Sequence, residues 1–185
     1  MLIAGNAGHY PGLDSGAVGP NGLTEAFVVD DITRKFLKFL EDAGYQTLFI
    51  QENSLAAICK KANDANVDLF ISIHCNGFTN PSANGMEIYT TTGNTQADPL
   101  ATCIMEQLQK SEPTNKLAVR ADWSDGDVDK EVNYYVLYYT KAPAVLVETA
   151  FITNPDEEAM LSDENNRTKI AAAIARGVTD YLSKK

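Results

Sequence analysis

The sequence predicts an α/β fold, a mostly parallel sheet with helices on both faces, and two observations carry that reading. Short apolar runs with β-branched residues, LFISI at 69–73 and AVLV at 144–147, look like buried strands. They alternate with stretches whose apolar residues recur at helical spacing, in the order β-α-β-α-β and later α-β-α. Such alternation calls for parallel strands joined by crossover helices. At 185 residues the chain fits a single domain, 1–185, long enough to bury a core without staples.

Residues 2–5 read as a first strand. Residues 6–22 carry glycines at 8, 12, 16, 19 and 22, too many for a helix, so this is a loop. Thr24 suits an N-cap, and a helix is expected over 25–43 because Val29, Ile32, Phe36 and Leu40 form an apolar stripe. Gly44 suits the position just past its end. Residues 46–50 form a second strand and 54–65 a second helix, and the strand at 69–73 follows. After a loop at 77–84, GMEIYTT at 85–91 reads as another strand and 98–110 as a third helix. Residues 111–132 are polar and turn-rich, with Asp122, Asp125, Asp127 and Asp129 around Trp123, the only tryptophan. Residues 134–139 are expected to be a strand or a partner to one. A buried strand at 144–147, with Pro143 at its first position, precedes a short helix after Pro155 and a long one over 167–182.

Fifteen Lys and Arg against 25 Asp and Glu give a formal net charge of −10. Nucleic acids and anionic membranes select basic surfaces, so neither is an expected partner. No run is long and apolar enough to span a bilayer. The start lacks a basic region and a cleavage site, so no signal peptide is expected. Three cysteines without Cys-x-x-Cys spacing, Cys59, Cys75 and Cys103, read as small buried thiols.

Four polar groups stand at strand ends or a helix start: His9, Glu25, His74 and Glu148. On the strand leading to Asn76, side chains alternate, so Ser72, His74 and Asn76 share one face and Ile71, Ile73 and Cys75 the other. Strand carboxyl ends are where open α/β sheets bind ligands. Two imidazoles with one carboxylate make a catalytic zinc set, leaving a fourth position for water, and a second carboxylate can carry protons. Taken singly, each residue has an ordinary structural explanation: Glu25 suits a helix N-terminus, and a lone histidine is usually structural. A carboxylate at the end of an apolar strand, as Glu148 is, is seldom found unless paired or metal-bound. Asn76 reads as a substrate contact or as a cap on the strand end.

Four blocks in order carry a resemblance: Ile3-Ala-Gly-Asn-Ala-Gly-His9, Ser15-Gly-Ala-Val-Gly-Pro-Asn-Gly-Leu-Thr-Glu25, Asp68-Leu-Phe-Ile-Ser-Ile-His-Cys-Asn76 with Gly85-Met-Glu-Ile-Tyr89, and Pro143-Ala-Val-Leu-Val-Glu-Thr-Ala-Phe-Ile-Thr-Asn154. Together they resemble the zinc-dependent N-acetylmuramoyl-L-alanine amidases of the type 3 family, which cut bacterial peptidoglycan. The resemblance implies a three-layer α/β/α sandwich, with one zinc ion held by His9, Glu25 and His74 and with Glu148 as general base and acid. It implies hydrolysis of the amide between the lactyl group of N-acetylmuramic acid and the L-alanine of the stem peptide, as in an autolysin or a phage-type endolysin. The partner implied is the bacterial wall; wall targeting is expected to come from a separate module, and without a signal peptide the chain is expected to be an endolysin released at lysis or an excised mature domain. The sequence departs from the family at Asn6-Ala7, usually Asp-Pro, at Ala150, usually Gly, and at Ile58 and Tyr138, where arginines are common. Another zinc peptidase or amidohydrolase, or a non-catalytic wall-binding domain, remains the rival reading.

Overall fold

The computed structural model describes residues 1–184. Six strands form one sheet: β1 (Leu2–Ala7), β2 (Gln46–Ile50), β3 (Leu69–Asn76), β4 (Glu87–Thr90), β5 (Lys130–Glu131) and β6 (Ala144–Phe151), in the order β2-β1-β3-β6-β4-β5. The first four in that order are parallel. β4 runs antiparallel to β6, and the two-residue β5 lies parallel to β4. The helices are α1 (Glu25–Asp42), α2 (Leu55–Asp64), α3 (Asp98–Lys110), α4 (Tyr135–Tyr138), α5 (Pro155–Ser162) and α6 (Glu164–Ser183). The expected mostly parallel three-layer architecture is the one observed.

Strand alternation divides the interior in two. Ile3, Leu69, Ile71, Ile73, Val145 and Val147 pack with the apolar stripes of α1, α3 and α6. Ala4, Phe70, Ala144 and Leu146 face the other way, against Ile58 and Ala62 of α2 and Val136 and Leu137 of α4. One face thus carries three long helices and the other only ten-residue α2 and four-residue α4. The thin layer leaves the carboxyl ends of β1, β3 and β6 uncovered on that side.

Some boundaries differ from expectation, each for a physical reason. Residues 134–139 contain a helical turn, not a strand. Val136 and Leu137 are adjacent yet both buried in the same cluster, which period-two alternation would forbid. The last helix starts at Glu164 rather than 167, because Asp163 caps it by accepting the Asn165 N–H. Thr24 sits at the N-cap of α1 as expected, but its side chain makes no capping bond. Backbone carbonyls of the glycine-rich loop take the first N–H groups instead: Glu25 N–H donates to Ala17 O and Ala26 N–H to Ser15 O. That exchange clamps the loop onto the start of α1, directly beside Glu25.

Candidate metal centre and catalytic cleft

Three elements bring the predicted residues together. Glu25 is the first residue of α1, only 3% exposed. His74 lies on β3, on the thinly covered face, next in register to Glu148 of β6. His9 follows β1 at a positive φ of 61°. A non-glycine residue held in that region costs on the order of 1–3 kcal/mol, which the surrounding contacts must offset.

Glu25 is the hub. Its Oε2 lies 3.0 Å from His9 Nε2, and its Oε1 lies 3.0 Å from His74 Nδ1. Backbone N–H groups of Ala17 and Cys75 also donate to it, at 2.9 and 3.0 Å. Burial opposes charge on Glu25, but the hydrogen bonds from His74 and His9 and the Ala17 N–H outweigh it and hold its pKa down to about 2. His9 is raised to about 9, chiefly by its hydrogen bond to Glu25, against desolvation and with help from Asp14. Asp14 Oδ2 sits 2.8 Å from the outer ring nitrogen of His9, the arrangement that fixes tautomer and ring orientation in ligating histidines.

One donor atom from each of His9, Glu25 and His74 lies within 4.8 Å of the others, a spacing that one ion can bridge. Two glycines make the cradle. A Cβ on Gly8 would stand 2.2 Å from His74 Cε1, and one on Gly16 would stand 2.5 Å from Glu25 Oε2 and 2.6 Å from His9 Cδ2. The two-imidazole, one-carboxylate donor set suits a borderline cation such as zinc.

Glu148 lines a cleft of about 320 Å³ together with Asn6, His9, His74, Tyr134 and Tyr135. Its Oε2 is buried with no hydrogen-bond partner among the described residues. Desolvation raises its pKa to about 7; His74 and His9 pull it down, while Glu25 and Glu87 push it up. A larger cavity, about 450 Å³ and lined by Thr92, Asn133 and Lys141 among others, contains none of these residues.

Asn76 stands beside this cluster, donating to Glu87 Oε2 at 2.7 Å and accepting from Gly77 N–H. Four neighbours were not singled out from the sequence: Asp14, Glu87, Tyr134 and Tyr135. Asp14 could have been found by asking what orients His9, five residues upstream. Glu87 is buried, pairs in register with Glu148, and takes hydrogen bonds from Arg120, Lys130 and Tyr89. Tyr134 and Tyr135 come from the segment expected to be a strand. Trp123 is exposed, and Arg120 is spent on Glu87 and stacked over the Phe151 ring. Cys75 packs into the core on the opposite face from His74 and is buried, as its place in the strand alternation requires.

With this geometry in view, comparison with known proteins is decisive. Residues 3–180 match the N-acetylmuramoyl-L-alanine amidase family, Amidase_3. The chain belongs to this family. It is 31% identical over 222 residues to N-acetylmuramoyl-L-alanine amidase AmiC of Neisseria meningitidis, covering 99% of the chain and 52% of that protein. It is 38% identical over 172 residues to LytC, the amidase of that name from Bacillus subtilis, covering 91% of the chain and 33% of LytC. The chain therefore spans about half and a third of these two relatives. Among solved structures, amidase AmiC2 of Nostoc punctiforme superposes with a TM-score of 0.87 at 28% identity, covering 99% of this chain and 97% of that one.

Proposed function

We propose that residues 1–185 form one catalytic domain that hydrolyses the amide between the lactyl group of N-acetylmuramic acid and the L-alanine of the stem peptide. The observation that carries this reading is the convergence of His9, Glu25 and His74 beside the unpartnered Oε2 of Glu148 in one cleft. His9, Glu25 and His74 are the proposed zinc ligands. When bound there, zinc supplies Lewis acidity toward the scissile carbonyl and lowers the pKa of water to roughly 7.

The chain's own residues do the rest. Glu148 takes a proton from the attacking water and delivers it to the departing alanine nitrogen as the C–N bond breaks. Asp14 keeps the His9 ring turned so that Nε2 faces Glu25. Gly8 and Gly16 leave room for the imidazoles. Asn76, whose Oδ1 keeps a lone pair after accepting from Gly77, is the proposed substrate contact. The net charge of −10 gives no attraction to an anionic wall, so wall targeting is assigned to a separate module. The proposed place of action is the bacterial wall.

The test is a wall-clearing assay with and without chelator, coupled to mass spectrometry of the digest. Free muramoyl groups and intact stem peptides, lost on chelation and restored by zinc, are expected. Cleavage inside the stem peptide would instead make the domain a peptidase, and the absence of chelator-sensitive clearing would make it a binder.

A further inference from the structure

Away from the cleft, the acidic loop that precedes β5 turns two carboxylates inward. Asp129 is 1% exposed, and its Oδ2 accepts the Thr90 hydroxyl at 2.5 Å. Its Oδ1 is buried without a hydrogen-bond partner among the described residues, as is Asp127 Oδ1. The two carboxyls lie within hydrogen-bonding reach of each other, yet two carboxylates have no proton to donate. Two basic residues flanking this loop are committed elsewhere: both Lys130 Nζ and Arg120 Nε donate to Glu87. Buried charge without a partner is among the most costly arrangements a protein can hold.

We propose that Asp127 and Asp129, with the Thr90 hydroxyl, form a site for a hard divalent cation of the calcium type. Calcium takes six to eight oxygen ligands and accepts water among them, so two carboxylates and a hydroxyl can anchor it without a full protein cage. Access is available, because Asp127 also lines a cavity of about 320 Å³ with Glu106, Gln109 and Trp123. A divalent ion neutralises both inward carboxylates, whereas one shared proton leaves a net charge buried. The raised pKa of Asp129, about 7, set first by desolvation and then by Asp127 against the Thr90 bond, fits a site that lacks its counter-charge. The ion would tie the loop to β4 through Thr90, next to the strand that presents Lys130 to Glu87. This site is independent of the proposed hydrolysis and does not share its residues.

Terbium(III), a luminescent stand-in for calcium, tests this directly, with Trp123 as the nearby sensitiser. Expected are saturable terbium emission excited through tryptophan, displacement by calcium, and a rise in Tm of roughly 5 °C at saturating calcium. His9→Ala and Asp122→Asn should keep the emission, and Asp129→Asn should lose at least tenfold in affinity. Asp127→Asn serves as the second variant should Asp129→Asn fail to fold. The proposal is overturned by the absence of saturable emission in the wild type. It is equally overturned if emission survives both Asp127→Asn and Asp129→Asn, or if it disappears with His9→Ala. Stabilisation by Asp129→Asn with no cation response in the wild type would assign the pair to a shared proton, and would also sink it.

Discussion

Glu25 and Asp129 are both almost completely buried carboxylates, yet they titrate in opposite directions. Glu25 is held down to about 2 and Asp129 is pushed up to about 7. Desolvation opposes charge at both, so burial does not distinguish them. Partners do. Glu25 receives two imidazoles and two backbone N–H groups, whereas Asp129 has one hydroxyl and faces a second acid. Glu148 falls with Asp129, raised to about 7, with His74 beside it but no donor on Oε2 among the described residues. The lesson is that donors converging from separate strands and loops, rather than depth, decide which buried acid stays ionised.

The sharpest way to separate the roles of the acids is Glu148→Ala. Turnover on purified wall should fall by about 10²–10⁴-fold with metal content unchanged. Loss of metal, read by elemental analysis, would show that the assignments of Glu25 and Glu148 are exchanged. His74→Ala should do the reverse, reducing metal per chain toward zero in the same measurement. Next in size, Asp14→Asn removes the carboxylate that orients His9. Zinc affinity, read by competition with a chromophoric chelator, should weaken by about 10–100-fold, and unchanged affinity would leave Asp14 without a role in the centre.

The smallest expected effect concerns Asp129, the acid held by one hydroxyl and faced by a second acid. In chelator-treated protein the folded state keeps a proton near Asp129 that the unfolded chain releases above 3.8. Stability therefore falls as pH rises from about 4 to 7, and Tm should drop by a few degrees across that window. The groups acting on Asp129 are Asp127, Asp98 and the Thr90 hydroxyl. Asp129→Asn should flatten the profile relative to wild type. Equal slopes in the two proteins would remove the contrast with Glu25.

Much of the architecture was legible because it is written in local periods. The stripe Val29, Ile32, Phe36, Leu40 and the alternation through Ile71, Ser72 and Ile73 each report a face that must be buried. The segment 134–139 misled because its aromatic residues have strand propensity, while packing of Val136 and Leu137 against α2 and β6 favoured a helical turn. Asp14 and Glu87 were missed for a related reason. Nothing in their immediate sequence shows that one would touch His9 and the other would take donors from Asn76 of β3, Tyr89 of β4, Lys130 of β5 and Arg120.

By itself the sequence determined the fold class, His9 just after the first strand and Glu25 at a helix start, since backbone period and capping preferences act over a few residues. His74 and Glu148 were expected at strand ends, but β3 and β6 run on to Asn76 and Phe151 and hold both inside the sheet. Only the tertiary structure decided that His9, Glu25 and His74 meet within 4.8 Å, that two glycines clear space for them, and that Asp129 is turned inward with the Thr90 hydroxyl on Oδ2 and no donor on Oδ1 among the described residues. Those outcomes depend on register between strands far apart in the chain and on how a loop is clamped to a helix. Short-range pattern carries no information about either.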